Sequence, residues 1–417
     1  MNSSYEVSLF LCLPVELQAV VMSYLGGVDL HNVSRTCRQI YQLRHEILLE
    51  PSLWAYSRLP RWNLYLEGLG KYCLHFPSKL TLVGYDSEVL KILGVNVPNC
   101  RGGDPVVLAS KLLSLKLQYG YSLEECSLEN LLLATSLRNL EIDFHRTGYR
   151  TIGLSSGISE KQQAKYPIPE WTSVVAQLTT LRELKLSSDL NVPTLEALEP
   201  LSMLQNLTLD NFWFLTTLQH LSPLNEIKFL KLGNLGTLAT LAGLENLKRM
   251  ERLELANCGK VTSLEPLREL VRLRELRLTR TSVRDVTILQ NCGLTSLIYT
   301  GIETDEVACT ISSLTSLTSL NLHAGEFKSL NFVAKLGKLK RIHLDHCGKL
   351  KDLRPLQQID LEYISHFGIF DMVSEYGTIF ANPDIEVRMH TSTAKYLRNN
   401  GVEIRCRLKS VIFGCQE

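Results

Sequence analysis

The chain has 417 residues, 79 of them leucine, while glycine and proline number only 25 and 14. That composition excludes a disordered, collagen-like or mucin-like polymer. Lys and Arg total 44 against 43 Asp and Glu, so no global field draws in nucleic acid or an anionic membrane, and a basic surface has to be a local patch. The eleven cysteines are odd in number and spread from Cys12 to Cys415 with no C-x-x-C or C-x-x-H pair. They argue against a disulfide framework and a zinc site, and point to a reducing compartment, cytoplasmic or nuclear. The apolar run 9–13 has no Lys or Arg before it and is interrupted by Pro14 and Glu16, unlike a secretory signal; no stretch approaches the length of a membrane span.

Residues 1–55 show helical spacing of apolar positions: Leu13, Leu17, Val20, Val21 and Leu25, then Leu30, Val33, Cys37 and Ile40. Pro14 suits a first helical turn, Gly26-Gly27 ends the first helix, and Asp29 can cap the next. Three short helices of this size bury little by themselves, so the module is expected to dock on the rest of the chain or on a partner. Leu13-Pro14-x-Glu16-Leu17, Leu25, Asp29-Leu30, Val33-Ser34, Cys37-Arg38 and Pro51-Ser52-Leu53-Trp54 resemble, in order and spacing, an F-box. Ile40 stands where that family usually has Trp, which keeps an apolar side chain but loses aromatic area. The resemblance implies a three-helix module that binds the Skp adaptor of Skp-Cullin-F-box ubiquitin ligases, and through it a cullin. By the same resemblance the adaptor contacts fall on Leu13, Pro14, Leu17, Leu25, Leu30 and Trp54.

Residues 56–75 read as a linker or a cap on a first repeat, and 76–370 as a repeat array. The pattern L-x-x-L-x-x-L-x-L recurs, and its third apolar position falls at Leu184, Leu207, Leu230, Leu253, Leu276, Leu297, Leu320, Ile342 and Ile364, with spacings of 23, 23, 23, 23, 21, 23, 22 and 22. Chance does not hold a register over nine units. The physics is that of a leucine-rich-repeat α/β solenoid: each L-x-L is a short strand with two inward leucines, and stacking joins many small apolar faces into one core. Prolines in the second leg, Pro266 and Pro355, fit 3-10 or irregular return arms instead of long helices. Leu112-Leu115-Leu117 and Leu137-Leu140-Ile142 read as earlier units, Leu80-Leu82 as a degenerate one, and 145–177 as an irregular insertion. Cys258, Thr281 and Cys347, three residues past a strand, are expected to cap backbone of the adjacent turn. Residues 371–417 read as a small C-terminal cap that closes the open end of the solenoid, with a strand (Ile385 to Met389), a helix (Thr393 to Asn399) and a strand (Val402 to Leu408), the last strand having one buried and one basic face.

No constellation carries catalysis, and no cofactor is expected. Gly259-Lys260 and Gly348-Lys349 lack the rest of a phosphate loop. His343, Asp345, His346 and Cys347 sit partly on a strand and partly in a turn, so they are not read as a metal site. The side chains between the paired leucines should line the concave sheet: Lys185, Thr208, Lys231, Glu254, Arg277, Ile298, Asn321 and His343, with Glu183, Asn206, Phe229, Arg252, Glu275, Ser296, Ser319 and Arg341 alongside. The candidate substrate-binding residues are Lys185, Trp213, Phe229, Lys231, Arg252, Arg277 and His343, aromatic and paired-charge groups of the kind that make binding hot spots; a solvated sheet face carries the same mixture. Three functions compete: a non-catalytic substrate receptor of a ubiquitin ligase with a protein substrate, a scaffold that uses the F-box in another assembly, and an RNA-binding regulator using Lys231, Arg252, Arg277 and the strip from Arg405 to Lys409, against which the neutral charge counts.

Overall fold

A computed structural model describes residues 46–49, 79–84, 96–97, 106–119, 129–144, 171–188, 192–350, 352–367, 383–399 and 405–411. The three-helix head, with Leu13, Pro14, Leu17, Leu25, Leu30 and Trp54, lies outside the described residues. The chain divides into two compact units, residues 1–192 with 196–212, and 193–195 with 213–417.

In the first unit, strands β1 (Glu46–Leu49), β2 (Lys79–Gly84), β5 (Ser114–Tyr119), β6 (Asn139–Phe144), β7 (Glu183–Ser188) and β8 (Asn206–Asp210) pair side by side in parallel. β3 (Asn96–Val97) and β4 (Val106–Val107) form a separate antiparallel pair. In the second unit, β9 (Phe229–Gly233), β10 (Arg252–Ala256), β11 (Glu275–Thr279), β12 (Ser296–Thr300), β13 (Ser319–His323), β14 (Arg341–Asp345), β15 (Tyr363–Phe367), β16 (Glu386–His390) and β17 (Arg407–Val411) form the same kind of parallel ladder without a register slip. Each marker leucine or isoleucine pairs with the next, as in Leu230, Leu253, Leu276 and Leu297. This is a leucine-rich-repeat solenoid, with 3-10 turns such as Gln219–Leu221, Glu265–Leu267 and Arg354–Gln358 in the return arms.

The core follows from a simple rule of spacing. From Leu215 to Leu278 the chain buries an aliphatic, methionine or cysteine side chain, at most 2 % exposed, at every third residue, except across each strand, where the step is two. Period two belongs to the pleated strand and period three to the tight turns and 3-10 segments; seven steps of three and one of two make the 23-residue repeat. Where the repeat shortens to 21, between Leu276 and Leu297, two of the three-residue steps become two, at Val283 and Leu294. Truncating one of these fully enclosed side chains, Leu230 or Leu253, removes contacts on both neighbouring turns, a loss of about 2–5 kcal/mol.

Backbone chemistry repeats at the same interval. The residue after each strand is left-handed at Asn211, Asn234, Asn257, Arg280, Gly301, Ala324 and His346; asparagine and glycine bear that conformation at low cost, the others against some strain. Its amide donates to the next turn, as in Asn234 N to Ala256 O and Asn257 N to Thr279 O, both 2.8 Å. Six return arms of the second unit are started by a side-chain oxygen that accepts from the amide two residues on: Thr217, Thr240, Ser263, Asp285, Ser329 and Asp352. These short polar side chains supply the acceptor that a one-turn helix lacks. As expected, Cys258 and Cys347 cap carbonyls of the preceding turn, with Sγ 3.6 Å from Leu232 O and from Leu322 O. Thr281 does not: its Oγ1 is buried without a hydrogen bond.

Two expectations need correction. Glu46–Leu49 is a strand paired with β2, inside the segment assigned to the helical head; the register sets residues 47 and 49 opposite Leu80 and Leu82, but their unit has no leucine repeat around it to betray them. Past residue 366, where the leucine pattern stops, the described residues of the expected cap run strand, helix, strand and continue the parallel ladder. β16 and β17 extend the ladder, with Val387 and Met389 at 1 % exposure in place of paired leucines and helix Thr391–Asn399 in place of a 3-10 arm. Of the expected last strand Val402 to Leu408, residues 402–404 lie outside the described residues; the strand described is Arg407–Val411, with Arg405 and Cys406 ahead of the pairing, which is set by Val387 opposite Leu408.

At Gly243 an added Cβ would meet backbone, which cannot swing aside: its φ is +105° and the Cβ would sit 2.4 Å from Leu218 O. Gly337 has nothing within 4 Å of that position. Gly243→Ala should therefore destabilise by more than about 1 kcal/mol, whereas Gly337→Ala should leave the urea midpoint unchanged or raise it. Equal midpoints for the two variants would contradict this packing.

Candidate binding surface on the sheet face

In a strand whose alternate residues are buried, the side chains between them point away from the core. The register lines these up in two rows per unit. In the first unit Lys116, Glu141, Lys185 and Thr208 face each other across successive strands. Lys116 pairs with Glu141 at 2.7 Å, and Lys185 with Glu183 at 2.9 Å and Glu141 at 3.9 Å. The Glu183 hydrogen bond and the two carboxylate charges hold the Lys185 ammonium above its ordinary pKa, against a smaller opposing effect of burial. Lys185 thus sits in a ladder of self-satisfied charges.

In the second unit one row is Phe229, Arg252, Glu275, Ser296, Ser319, Arg341, Tyr363, Glu386 and Arg407, and its neighbour is Lys231, Glu254, Arg277, Ile298, Asn321, His343, Ser365, Arg388 and Lys409. The expected residues Phe229, Lys231, Arg252, Arg277 and His343 all stand on this face. Around Arg252 they converge: Nε donates to Glu254 Oε1 at 3.0 Å, Nη2 donates to the same oxygen, and Nε lies 3.5 Å from Glu275 Oε2. The Arg252 guanidinium also lies 5.2 Å from the Phe229 ring centre, a cation–π distance. Glu254 is 5 % exposed, so this carboxylate depends on Arg252 for the charge that offsets its burial.

Trp213 does not join them. It stands three residues past β8, and its ring lies against Gly236, where a Cβ would be 3.4 Å from Cε3. The inward position beside it belongs to Phe212, which has no exposure. The turn takes both residues off the sheet, which alternation alone could not foresee.

At the other end of the face His343 packs its ring 5.0 Å from that of Tyr363. Burial, then the charges of Arg341 and Arg388, push the imidazole below its ordinary pKa, so it is neutral at neutral pH. His346, left-handed in the following turn, instead meets His323 edge-on at 5.0 Å. The two imidazoles therefore face different neighbours, and among the described residues no three His, Cys, Asp or Glu side chains are placed to hold a metal ion. Burial raises the Cys347 thiol to about 11, the behaviour of a packed cysteine instead of a nucleophile. Tyr363, Ser365 and Arg388 were not among the expected site residues. Tyr363 and Ser365 flank the marker Ile364, where the alternation that gave the other rows applies, and the signal for Arg388 is an alternating stretch 23 residues past Ile364 that lacks leucine.

The F-box domain family matches residues 10–43, a range that includes five of the six expected adaptor contacts and ends before Trp54. The chain pairs an F-box with a leucine-rich-repeat fold. Internalin InlF of Listeria monocytogenes shares 19 % identity over 79 % of this chain and 89 % of its own, with a TM-score of 0.51, which is a likeness of fold. A leucine-rich-repeat protein of Leptospira interrogans aligns at 16 % identity over 78 % of this chain and 93 % of its own, with a TM-score of 0.39. No curated protein sequence matches the chain. Among the described residues no helix is long and apolar enough to cross a membrane.

Arg252→Ala should lower stability by about 1–3 kcal/mol, because it strands the buried Glu254 carboxylate. Arg252→Ala with Glu254→Gln should recover part of that loss in denaturant titrations. Equal losses in the single and double variants would show that Glu254 does not depend on Arg252.

Proposed function

We propose that the chain is a non-catalytic substrate receptor of a Skp-Cullin-F-box ubiquitin ligase. The observation that carries this reading is the F-box at residues 10–43 ahead of a leucine-rich-repeat fold. Its helices would dock Leu13, Pro14, Leu17, Leu25, Leu30 and Trp54 on the Skp adaptor, which bridges to a cullin. The repeats are chemically inert aliphatic packing beneath rows of charged and aromatic side chains, a surface suited to gripping a protein and not to bond making. The work is then done by proximity: a client held on the sheet face is presented at high effective concentration to the conjugating enzyme on the ligase. Such a receptor works in the cytoplasm or nucleus, where thiols such as those of Cys258, Cys292 and Cys347 stay reduced.

The test is co-purification of the full chain from cells. The wild-type chain should bring down a Skp adaptor and a cullin. Leu13→Ala with Pro14→Ala should reduce both at least tenfold and raise the steady-state level of bound clients. Adaptor bound without cullin would support a scaffold outside ubiquitin ligation, and absence of any Skp adaptor from the wild-type chain would overturn the proposal.

A further inference from the structure

The turn that leaves β11, residues 280–284, departs from its counterparts at several points at once. It belongs to the repeat of 21 residues, where the other marker spacings are 22 or 23. Arg280 is left-handed, with a φ of 51°, where the two turns before it have Asn234 and Asn257; a long side chain bears that conformation at a cost. The amides of Asn234, Asn257, Gly301 and Ala324 each donate to the next turn at 2.8 or 2.9 Å, whereas that of Arg280 donates to no described residue. Thr281 stands where Cys258 and Cys347 cap carbonyls of the preceding turn, yet its Oγ1 is buried without a hydrogen bond. A hydroxyl withdrawn from water and left unanswered weakens the state that buries it.

Little else holds this turn shut. Val283 is its one buried aliphatic side chain, while the counterpart 257–261 buries both Cys258 and Val261. Ser282 bonds back to the preceding turn, its amide to Val261 O at 3.2 Å and its hydroxyl to Gly259 O at 2.5 Å. Arg284 pairs with Glu303 at 2.8 Å, but the two side chains are 73 % and 63 % exposed, so water screens most of that attraction. The buried tie comes from the next strand. β12 carries Tyr299 in register with Leu278 and Leu322, where the other strands have the second leucine of their pair. The ring is 2 % exposed and its hydroxyl donates to Val283 O, a carbonyl that no leucine could satisfy.

We propose that residues 280–284 are a conformational joint of the second unit, which opens locally while β11 and β12 stay paired, and that the Tyr299 hydroxyl is its latch. Opening the turn at 257–261 breaks the Asn257 amide bond and the Cys258 cap. Opening it at 280–284 breaks neither kind of bond, relieves the left-handed arginine, and lets water answer the Arg280 amide and the Thr281 hydroxyl. Local openings are drawn from segments with few buried contacts and few internal bonds, and this turn has fewer of both than its neighbour. The strand pairing from Glu275–Ser296 to Thr279–Thr300 is unbroken, so the ladder itself does not part. The joint stands between the Arg252 patch and the His343 end of the sheet face.

The test is hydrogen exchange of the full chain, read at single amides by fragmentation mass spectrometry. Ser282 N and Val261 N are matched probes, since both are hydrogen-bonded in the structure, to Val261 O and Cys258 O. Ser282 should exchange about tenfold faster than Val261 after correction for intrinsic rates, with the strand amides of Leu276 and Leu297 still protected. Tyr299→Phe, which keeps the ring and removes the latch, should speed Ser282 by a further factor of about ten and leave Val261 unchanged. Arg280→Asn with Thr281→Cys, which installs the residues of the preceding turn, should bring Ser282 to the rate of Val261 and raise the melting temperature. That variant keeps the test open if Tyr299→Phe fails to fold. Equal exchange of Ser282 and Val261 in the wild-type chain, a Ser282 rate unmoved by either folded variant, or loss of Leu276 and Leu297 protection together with Ser282 would each overturn the proposal.

Discussion

The stacked repeats depend on one steric constraint, kept without a break from Leu215 to Leu278: a buried side chain at every third residue, with one step of two at each strand. A turn built this way has no inside of its own. Its leucines are covered only when the turns before and after it are in place, so cohesion passes from neighbour to neighbour along each unit. The hydrophobic effect drives the stacking, and the recurring backbone bonds set its register. Lys228 O accepts from Glu251 N and Arg252 N, and Glu251 O accepts from Arg274 N and Glu275 N. A shift of one residue would lose these bonds and turn every leucine outward at once.

The same constraint frees the opposite face. Because the alternate strand positions are excluded from the core, their identities are not set by packing, and they can be spent on recognition. The second unit uses this freedom unevenly. Around Arg252 the charges satisfy one another and hold a buried carboxylate, which makes a firm, closed patch. Towards the last strands Lys409 pairs with Glu386 and Arg407 donates to Asp384 O, while Arg341 and Arg388 stand exposed.

The leucine positions made the repeats readable in sequence: every marker from Leu184 to Ile364 is the second residue of a strand, and Pro266 and Pro355 announced the short arms. The sheet-face rows followed from alternation alone, so Lys231, Arg252, Arg277 and His343 were placed correctly. The ends escaped notice because residues 46–49 stand outside any leucine repeat and because Val387 and Met389 do the work of leucine without its frequency. The left-handed turn was visible at Asn211, Asn234 and Asn257 but not at Arg280, Ala324 or His346, residues that tolerate the conformation only because the surrounding turns impose it. Trp213 misled because an aromatic beside a strand carries no mark of which way the turn will aim it.

The proposed division of labour between head and repeats is open to direct measurement by hydrogen exchange of the full chain with and without a purified Skp adaptor. Protection gained over residues 10–43, with no change at Arg252, His343 or Arg388 and the strands that carry them, is the predicted result. Protection arising on the sheet face, or none over residues 10–43, would contradict the assignment of anchoring to the F-box and recognition to the leucine-rich repeats.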